Sequence, residues 1–240
     1  MGPDLSARAV DARELMDEPD ADERMLGLTY DRFRLVNALV SRPGGVYRRD
    51  IRARARRGRI RILDVGAGGG DLCRDLARRL RRDGLAADIT ALDADERAIR
   101  WAAAHDDGAG IGYRCALADE LVGEGAQFDV VLSNHVLHHL SAAELSQLLH
   151  DTRTLVGESG VVVHHDIARA GAAYALFRAA TAPFARTVLA GTFIREDGLI
   201  SIRRSYTREE LAAAAPEGWS VRARAPFRLE LRWEPGDARP

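Results

Sequence analysis

Hydrophobic and polar positions alternate along this chain with two different periods. Between residues 59 and 166, short apolar runs of strand length are separated by longer segments in which apolar residues recur at helical spacing. The short runs predict β-strands at 59–65, 87–93, 111–116, 128–134 and 160–166. Strands that alternate with helices need parallel pairing through crossover connections, so the pattern predicts an open α/β sheet.

The last part of the chain continues the sheet. Thr207 and Glu210 form a capping box, which predicts the start of a helix. Two extended runs follow at 219–225 and 227–233, and their close spacing around Pro226 predicts an antiparallel hairpin. We therefore expect a Rossmann-like sheet of seven strands, mostly parallel, with one antiparallel strand.

Two regions lie outside this alternation. Residues 1–27 are charged and weakly periodic, which predicts a loosely packed helical arm, and an amphipathic helix follows from Tyr30 to Val40 and ends at Pro43. Residues 168–206 interrupt the alternation after the fifth strand and predict a helical lid, although a dimer contact or plain packing would explain them equally.

This organisation predicts an N-terminal helical arm or lid over residues 1–45 and a main domain over residues 46–240. The chain has 240 residues, 46% of them hydrophobic, and lacks the run of about 18 apolar residues that a membrane span needs. Its two cysteines and the absence of a secretory leader favour a cytoplasmic location.

The charged residues exclude several kinds of chemistry. All 35 basic residues are arginine, so lysine-dependent Schiff-base chemistry and a phosphate-binding Walker loop are excluded. The net charge of −1 argues against a nucleic-acid partner. Eight arginines lie between residues 47 and 61, and we interpret them as a solvated helix face rather than a polyanion site.

The stretch ILDVGAGGGDL, residues 62–72, places glycines directly after the first strand, where open α/β sheets bind ligands. A dinucleotide fingerprint would have its last glycine where Asp71 stands, and a carboxylate there would repel a pyrophosphate. A purely structural turn is the alternative. Asp93 ends the second strand, where an acid can accept hydrogen bonds from ribose hydroxyls or cap the next helix.

The loop GxGxG preceded by Asp64, together with FDVVLSNHVLHHL at residues 128–140, resembles the class I S-adenosylmethionine-dependent methyltransferases. Within that family, the sequence looks like the small-molecule methyltransferases that include the enzymes of ubiquinone and menaquinone synthesis, and the resemblance covers residues 59–166. It implies S-adenosylmethionine as cofactor, with Asp119 near the adenine and Asn134 near the sulfonium. The residues that it implies for cofactor binding are Asp64, Gly66, Gly68, Gly70, Asp93, Ala94, Asp119 and Asn134.

Histidines cluster where the fourth and fifth strands end: His135, His138, His139, His164 and His165. An imidazole with a pKa near 6.5 can take the proton of a hydroxyl acceptor during transfer. We select His135, His139 and His165 as candidate catalytic residues, while a structural role stays open for each. Three of the histidines share a helical face, but no carboxylates lie nearby at ligand spacing, so we expect no metal.

The function expected from this resemblance is O-methylation of a phenolic or polyketide-like small molecule. The alternatives are C-methylation of a quinol-type ring and a cofactor-binding accessory protein without activity. A monomer or homodimer acting on a small-molecule acceptor is expected, with no nucleic acid and no integral membrane association. Arg195, Arg203 and Arg204 would hold an acidic group of the substrate or pair with nearby acids.

Overall fold

The computed structural model of this chain describes residues 3–40 and 44–236. Its centre is a seven-stranded sheet in the order β3-β2-β1-β4-β5-β7-β6. The strands are β1 (Ile60–Val65), β2 (Ala87–Asp93), β3 (Gly112–Cys115), β4 (Phe128–Asn134), β5 (Val156–Ile167), β6 (Ser220–Arg224) and β7 (Arg228–Trp233). Strand β7 is antiparallel to both β5 and β6, whereas β1 to β5 pair in parallel. The predicted seven-stranded, Rossmann-like fold is confirmed.

Helices cover both faces of the sheet. They are α1 (Glu23–Val40), α2 (Gly44–Val46), α3 (Arg52–Ala55), α4 (Asp71–Arg82), α5 (Glu96–Ala104), α6 (Ala118–Gly123), α7 (Ala142–Leu155), α8 (Gly171–Thr181), α9 (Ile194–Arg204) and α10 (Arg208–Ala214). A π-helical turn joins α2 to α3. Short 3-10 turns lie at Leu15–Asp17, Leu137–His139 and Ala182–Phe184. Among the described residues, no helix combines the length and the apolar character needed to cross a bilayer.

Alternate side chains of the central strands enter two different cores, because successive residues of a strand point to opposite faces. Leu63, Val131 and Val162 pack with α7 in one core, and Ile62 and Val130 pack with α4 in the other. Both faces of the central strands are therefore buried, which explains why their sequences are nearly continuous apolar runs.

The register of the parallel strands brings their carboxyl ends to one edge of the sheet. Val65 at the end of β1 lies opposite Leu92 on β2 and Ser133 on β4, and Asn134 lies opposite His165 on β5. The loop after β1, the end of β2 and the turn after β4 consequently meet at this edge, where ligands of open α/β sheets bind.

The N-terminal region differs from the expected loosely packed helical arm. Residues 3–22 contain one helical turn, Leu15–Asp17, and α1 begins only at Glu23. The segment is held by side chains of distant elements, with Glu14 only 4% exposed. The predicted helix end at Pro43 lies outside the described residues, and Gly44 begins α2. The arm is fixed by tertiary contacts, which residue periodicity does not report.

Many arginines of residues 47–61 pair with acids of other elements. Arg49 bonds to Glu230 on β7, Arg54 to Glu234, and Arg52 to Asp83 at the end of α4. These pairs connect the short helices before β1 to the sheet and to α4. The run therefore has a structural role, and these three arginines bind other elements instead of forming the purely solvated helix face that the sequence pattern predicts.

Candidate active site

The glycine loop after β1 comes close to two neighbouring elements. The Gly66 amide donates to the Leu92 carbonyl at 2.8 Å, and Gly66 has a positive φ of 69°. A β-carbon at this position would lie 2.4 Å from Cγ2 of Val136, in the turn after β4. Glycine is therefore required at position 66 both by the left-handed backbone and by the close approach of Val136.

Asp93 fixes the other side of the loop. Its Oδ2 accepts a hydrogen bond from the Gly68 amide at 2.7 Å, and its Oδ1 accepts one from the Asp95 amide at 2.9 Å. Burial raises the pKa of Asp93 above its ordinary value. The carboxylate thus joins the end of β2 to the glycine loop while it lines the adjacent cavity together with Ala94.

Asp64 is a buried carboxylate at the end of β1, only 2% exposed. Its Oδ2 accepts a contact from the Cys73 thiol at 3.4 Å, and its Oδ1 has no hydrogen-bond partner among the described residues. Burial, with a smaller contribution from Asp71 and Asp93, raises the pKa of Asp64 to about 7. A buried oxygen without a partner is unusual in folded proteins and indicates a site that a donor completes.

These residues form one wall of a cavity of about 470 Å³. Gly66, Gly68 and Asn134 also line it, as do Ala116, Leu117 and Ala118 after β3. Gly70 is not among the lining residues and precedes α4 at its N-terminus. Asp119 lies exposed on α6, a helix that the sequence pattern did not predict, and it does not line the cavity.

The turn after β4 forms another part of the cavity wall. His135 ends the strand with a positive φ of 60°, and its amide donates to the His165 carbonyl at 2.9 Å. Its Nδ1 lies 3.7 Å from Oδ1 of Asp166, the buried acid near the end of β5. His135 and His139 line the cavity, and their side chains are 25% and 30% exposed, so both rings are accessible from it.

His138 lies between two carboxylates. Its Nδ1 is 2.8 Å from Oδ1 of Asp166, and its Nε2 is 3.1 Å from Oε1 of Glu14. Burial alone would lower the pKa of His138, but Asp166 and Glu14 together raise it to about 10. The same contacts, with His139 and Ser201, overcome the effect of burial on Glu14 and lower its pKa to about 2. This end of the cavity therefore stabilises positive charge.

Glu14 is the functional candidate that the sequence pattern does not reveal. It lies in the N-terminal segment, 124 residues from His138, and no motif surrounds it. The turn Leu15–Asp17 is held by Asp197 of α9, whose carboxylate accepts from the amides of Leu15 and Met16 at 2.7 and 3.0 Å. Asp197 is 3% exposed, and burial raises its pKa to about 6.

Two arginines fix the backbone of the turn after β4, residues 135–140, which we call the histidine turn. Arg204 of α9 donates to the carbonyls of His138 and His139 at 3.1 and 2.8 Å. Arg8 donates to the carbonyls of Leu140 and Arg204. Arg204 thus binds backbone carbonyls rather than a nearby acid, which differs from both expected roles.

The remaining candidate histidine lies outside the cavity. His165 is 9% exposed, and its Nε2 is 3.2 Å from Oε2 of Glu230 on β7, on the side of Arg49. His164 is buried between hydroxyl groups of Ser133 and Thr152, and burial, with His165 nearby, lowers its pKa to about 3. Of the candidate bases, the fold therefore brings His135 and His139 to the cavity and turns His165 away from it.

Residues 62–160 match the sequence model of a family described as a methyltransferase domain. The match includes the glycine loop, Asp93 and the histidine turn. The chain contains a class I methyltransferase domain. Residues 168–206 and the N-terminal segment, which supply Asp197 and Glu14, lie outside the matched region.

Curated relatives of this methyltransferase domain share a name. A ubiquinone biosynthesis O-methyltransferase of Caulobacter sp. (strain K31) is 36% identical over 148 residues, which are 58% of this chain and 56% of the relative. The protein of the same name from Caulobacter vibrioides (strain ATCC 19089 / CIP 103742 / CB 15) is 37% identical over 147 residues, 60% of this chain and 55% of the relative. The chain thus spans about half the length of these relatives.

A solved structure supports the fold over a larger part of the chain. The plantazolicin methyltransferase BpumL, in complex with SAH, aligns with a TM-score of 0.59 over 92% of each chain, at 14% sequence identity. At this identity the similarity concerns the fold alone. It extends the shared architecture beyond residues 62–160.

Proposed function

We propose that this chain binds S-adenosylmethionine at the glycine loop and transfers its methyl group to an oxygen of a small phenolic or polyketide-like molecule. The observation that carries this proposal is the buried Oδ1 of Asp64, a residue that lines the cavity, because this oxygen has no hydrogen-bond partner among the described residues. The ammonium of the cofactor's methionine end would provide the missing donor. The names of the curated relatives favour oxygen as the methylated atom.

The residues proposed for the cofactor fit its chemical groups. Asp64 and the amides of Gly66 and Gly68 would hold the methionine end, which carries both charges and no phosphate. Asp93 would accept from the ribose hydroxyls, because its carboxylate is ionisable and lines the cavity beside Ala94. We assign the adenine to the wall formed by residues 116–118, and the sulfonium to the end near Asn134. When bound, S-adenosylmethionine supplies an electrophilic methyl group on a positively charged sulfur.

The chain's own residues would activate the acceptor. His135 is the proposed base, because its ring lines the cavity and its Nδ1 lies 3.7 Å from the Asp166 carboxylate. Asp166 would hold the ring in position and stabilise the imidazolium that forms when Nε2 takes the proton of the acceptor hydroxyl. Burial opposes ionisation of Asp166, but His138 and His135 keep its pKa well below the usual range.

Apolar side chains would exclude water from the reaction. Phe33 of α1, Phe177 of α8 and Ile194 of α9 line the cavity. Phe177 packs so closely on α9 that a β-carbon at Gly198 would lie 2.4 Å from it. We propose that the N-terminal region, residues 1–45, and residues 168–206 form the acceptor-side lid. A dry site favours the reaction because the sulfonium charge disappears during transfer.

Two measurements test the proposed function. Isothermal titration calorimetry with S-adenosylhomocysteine should show one site per chain, while NAD should give no heat. A ligand at a hundred times its dissociation constant adds about 2.7 kcal/mol of stability, so a thermal shift should accompany binding. No binding of S-adenosylhomocysteine would refute the proposal.

The acceptor is tested separately. The protein is incubated with methyl-labelled cofactor and a panel of phenols, catechols and quinols, and the methyl group is located by mass spectrometry. Label on oxygen supports the proposal, and label on a ring carbon would support C-methylation instead. Cofactor binding without transfer to any small molecule would favour a cofactor-binding accessory protein.

A further inference from the structure

The end of the cavity around Glu14, His138 and His139, which we call the acceptor end, contains a set of ligand atoms suited to a metal ion. Glu14, His138 and His139 each offer one atom, and the three atoms lie within 4.8 Å of one another. Oε1 of Glu14 is 3.1 Å from Nε2 of His138 and 3.8 Å from Nε2 of His139. Ligands about 2.1 Å from a tetrahedral zinc ion lie about 3.4 Å apart, so small ring movements would complete the geometry.

The second nitrogen of each imidazole already lies close to a carboxylate. Nδ1 of His138 lies 2.8 Å from Asp166, and Nδ1 of His139 lies 3.1 Å from Asp17. Metal-bound histidines commonly donate this second N–H to a carboxylate, which orients the ring and directs the other nitrogen toward the metal. Both Nε2 atoms are accordingly left to share one oxygen of Glu14.

A hydrogen-bonded chain explains only part of this arrangement. The contact of His138 with Glu14 has hydrogen-bond length, but Nε2 of His139 is 3.8 Å from the same oxygen, too far for a hydrogen bond. A cation among the three atoms would explain why both imidazoles approach the same buried carboxylate oxygen. Glu14 is itself held by a hydrogen bond from Ser201 at 2.7 Å.

We infer that Glu14, His138 and His139 bind a divalent first-row transition ion, for which Zn²⁺ is the probe, with its open positions toward the acceptor. Two imidazoles and one carboxylate are a ligand set of catalytic zinc sites, in which the remaining position is open. All three residues line the same cavity as Asp64 and Asp93. This inference departs from the sequence expectation of no metal, because the carboxylate comes from a distant segment.

The ion would act on the acceptor hydroxyl. A bound divalent ion would lower the pKa of a coordinated hydroxyl, so its proton passes more readily to His135, the proposed base, and an oxygen lone pair becomes available. That lone pair forms the bond to the methyl carbon as the carbon–sulfur bond breaks and its electrons stay on sulfur. This role rests on the function proposed above, whereas metal binding itself does not.

The test measures metal and cofactor binding on the same samples. The full-length chain carrying Cys115→Ser, which removes an exposed thiol, is treated with a chelator, dialysed against Zn²⁺ and analysed by mass spectrometry. One Zn²⁺ per chain is expected, and Glu14→Gln and His139→Ala should weaken binding by tenfold or more. The matched controls Glu18→Gln and His150→Ala should bind Zn²⁺ as the parent protein does.

The results of this test separate the metal site from the proposed function. No stoichiometric Zn²⁺, or equal binding by Glu14→Gln, His139→Ala and the controls, overturns the metal site even if S-adenosylhomocysteine binds. Zn²⁺ binding without S-adenosylhomocysteine binding supports the metal site and refutes the proposed function.

Replacing His138 would leave two buried carboxylates without their shared partner and endanger folding, so the partly exposed His139 is the informative variant. A Co²⁺ absorption spectrum typical of nitrogen and oxygen ligands should be lost in the same two variants.

Discussion

The two ends of the cavity are built from different kinds of chain contact. At the cofactor end, Gly68 and Asp93 are 25 residues apart, and the loop contributes backbone amides. At the acceptor end, Glu14 meets His138 across 124 residues and Asp197 holds Leu15 across 182 residues, and side chains make the contacts. The cofactor end therefore relies largely on backbone groups inside the matched region, residues 62–160, whereas the acceptor end relies on side chains that include residues outside it. Changes at one end should leave the other end intact.

The largest expected effect is at the cofactor end. Asp93→Ala removes the acceptor of the Gly68 amide and of the proposed ribose contacts. Hydrogen bonds to a charged group contribute about 1.5–3 kcal/mol each, so the loss of two should weaken S-adenosylhomocysteine binding by about a hundredfold or more. Calorimetry measures this change, and Zn²⁺ binding by the same variant should stay unchanged. Asp88→Asn, in an exposed ion pair on the same strand, is the control.

The second effect concerns the acceptor end. His135→Ala should lower kcat by on the order of a hundredfold and leave S-adenosylhomocysteine affinity unchanged, because the ring is the proposed base. His165→Ala should lower kcat by less than about tenfold, since its ring bonds to Glu230 outside the cavity. Steady-state kinetics on the acceptor identified by the methyl-labelling panel compares the two. Equal losses in both variants would contradict the assignment.

The attachment of the N-terminal segment gives the third effect. Asp197→Ala removes the acceptor of the Leu15 and Met16 amides and should destabilise the protein by about 2–3 kcal/mol. Chemical denaturation measures this loss, and limited proteolysis should cut residues 3–22 faster. Glu196→Ala is the matched control, because its side chain is exposed. Unchanged protease resistance would show that the segment is held by other contacts.

A fourth test concerns His164, a buried histidine whose lowered pKa should make the stability of the protein depend on pH. His164 has a pKa near 3 when folded, below the ordinary value of 6.5, so the unfolded chain binds more protons between these pH values. Stability should therefore fall as the pH is lowered from 6.5 toward 3, by about 1.4 kcal/mol per pH unit from this group. His164→Leu should be less stable at pH 7.5 but should lose stability less steeply on acidification, as followed by denaturation at several pH values. His150→Ala should keep the steep dependence.

The smallest effect is expected at Asp119. The resemblance implies that it holds the adenine, but its side chain is exposed and does not line the cavity. Asp119→Asn should change S-adenosylhomocysteine affinity by less than about threefold, because solvent and salt screen an exposed charge that does not line the cavity. A loss of tenfold or more in calorimetry would restore the assignment.

The sheet and the cofactor end could be predicted from sequence because their signals are local. Apolar runs indicate buried strands, and the glycines at 66 and 68 and the acid at 93 lie at fixed distances from strand ends. Glu14 gives no such signal, since its role arises only when residues 3–22 cross the histidine turn. The sequence also does not show which of two adjacent residues on β5 faces the cavity. His165 points away from it, whereas Asp166 contacts the histidine turn.

The orphaned oxygen of Asp64 has a consequence for how the binding heat depends on solution conditions. With a pKa near 7, this acid is partly protonated in neutral solution, and an arriving ammonium would favour the ionised form. Binding of the ligand should then release a proton to the solvent, and the affinity should increase as the pH rises through 7. Because the buffer takes up this proton, the apparent binding enthalpy should differ between phosphate and Tris in proportion to the difference in their protonation enthalpies. This difference would report that the ligand occupies the site beside Asp64.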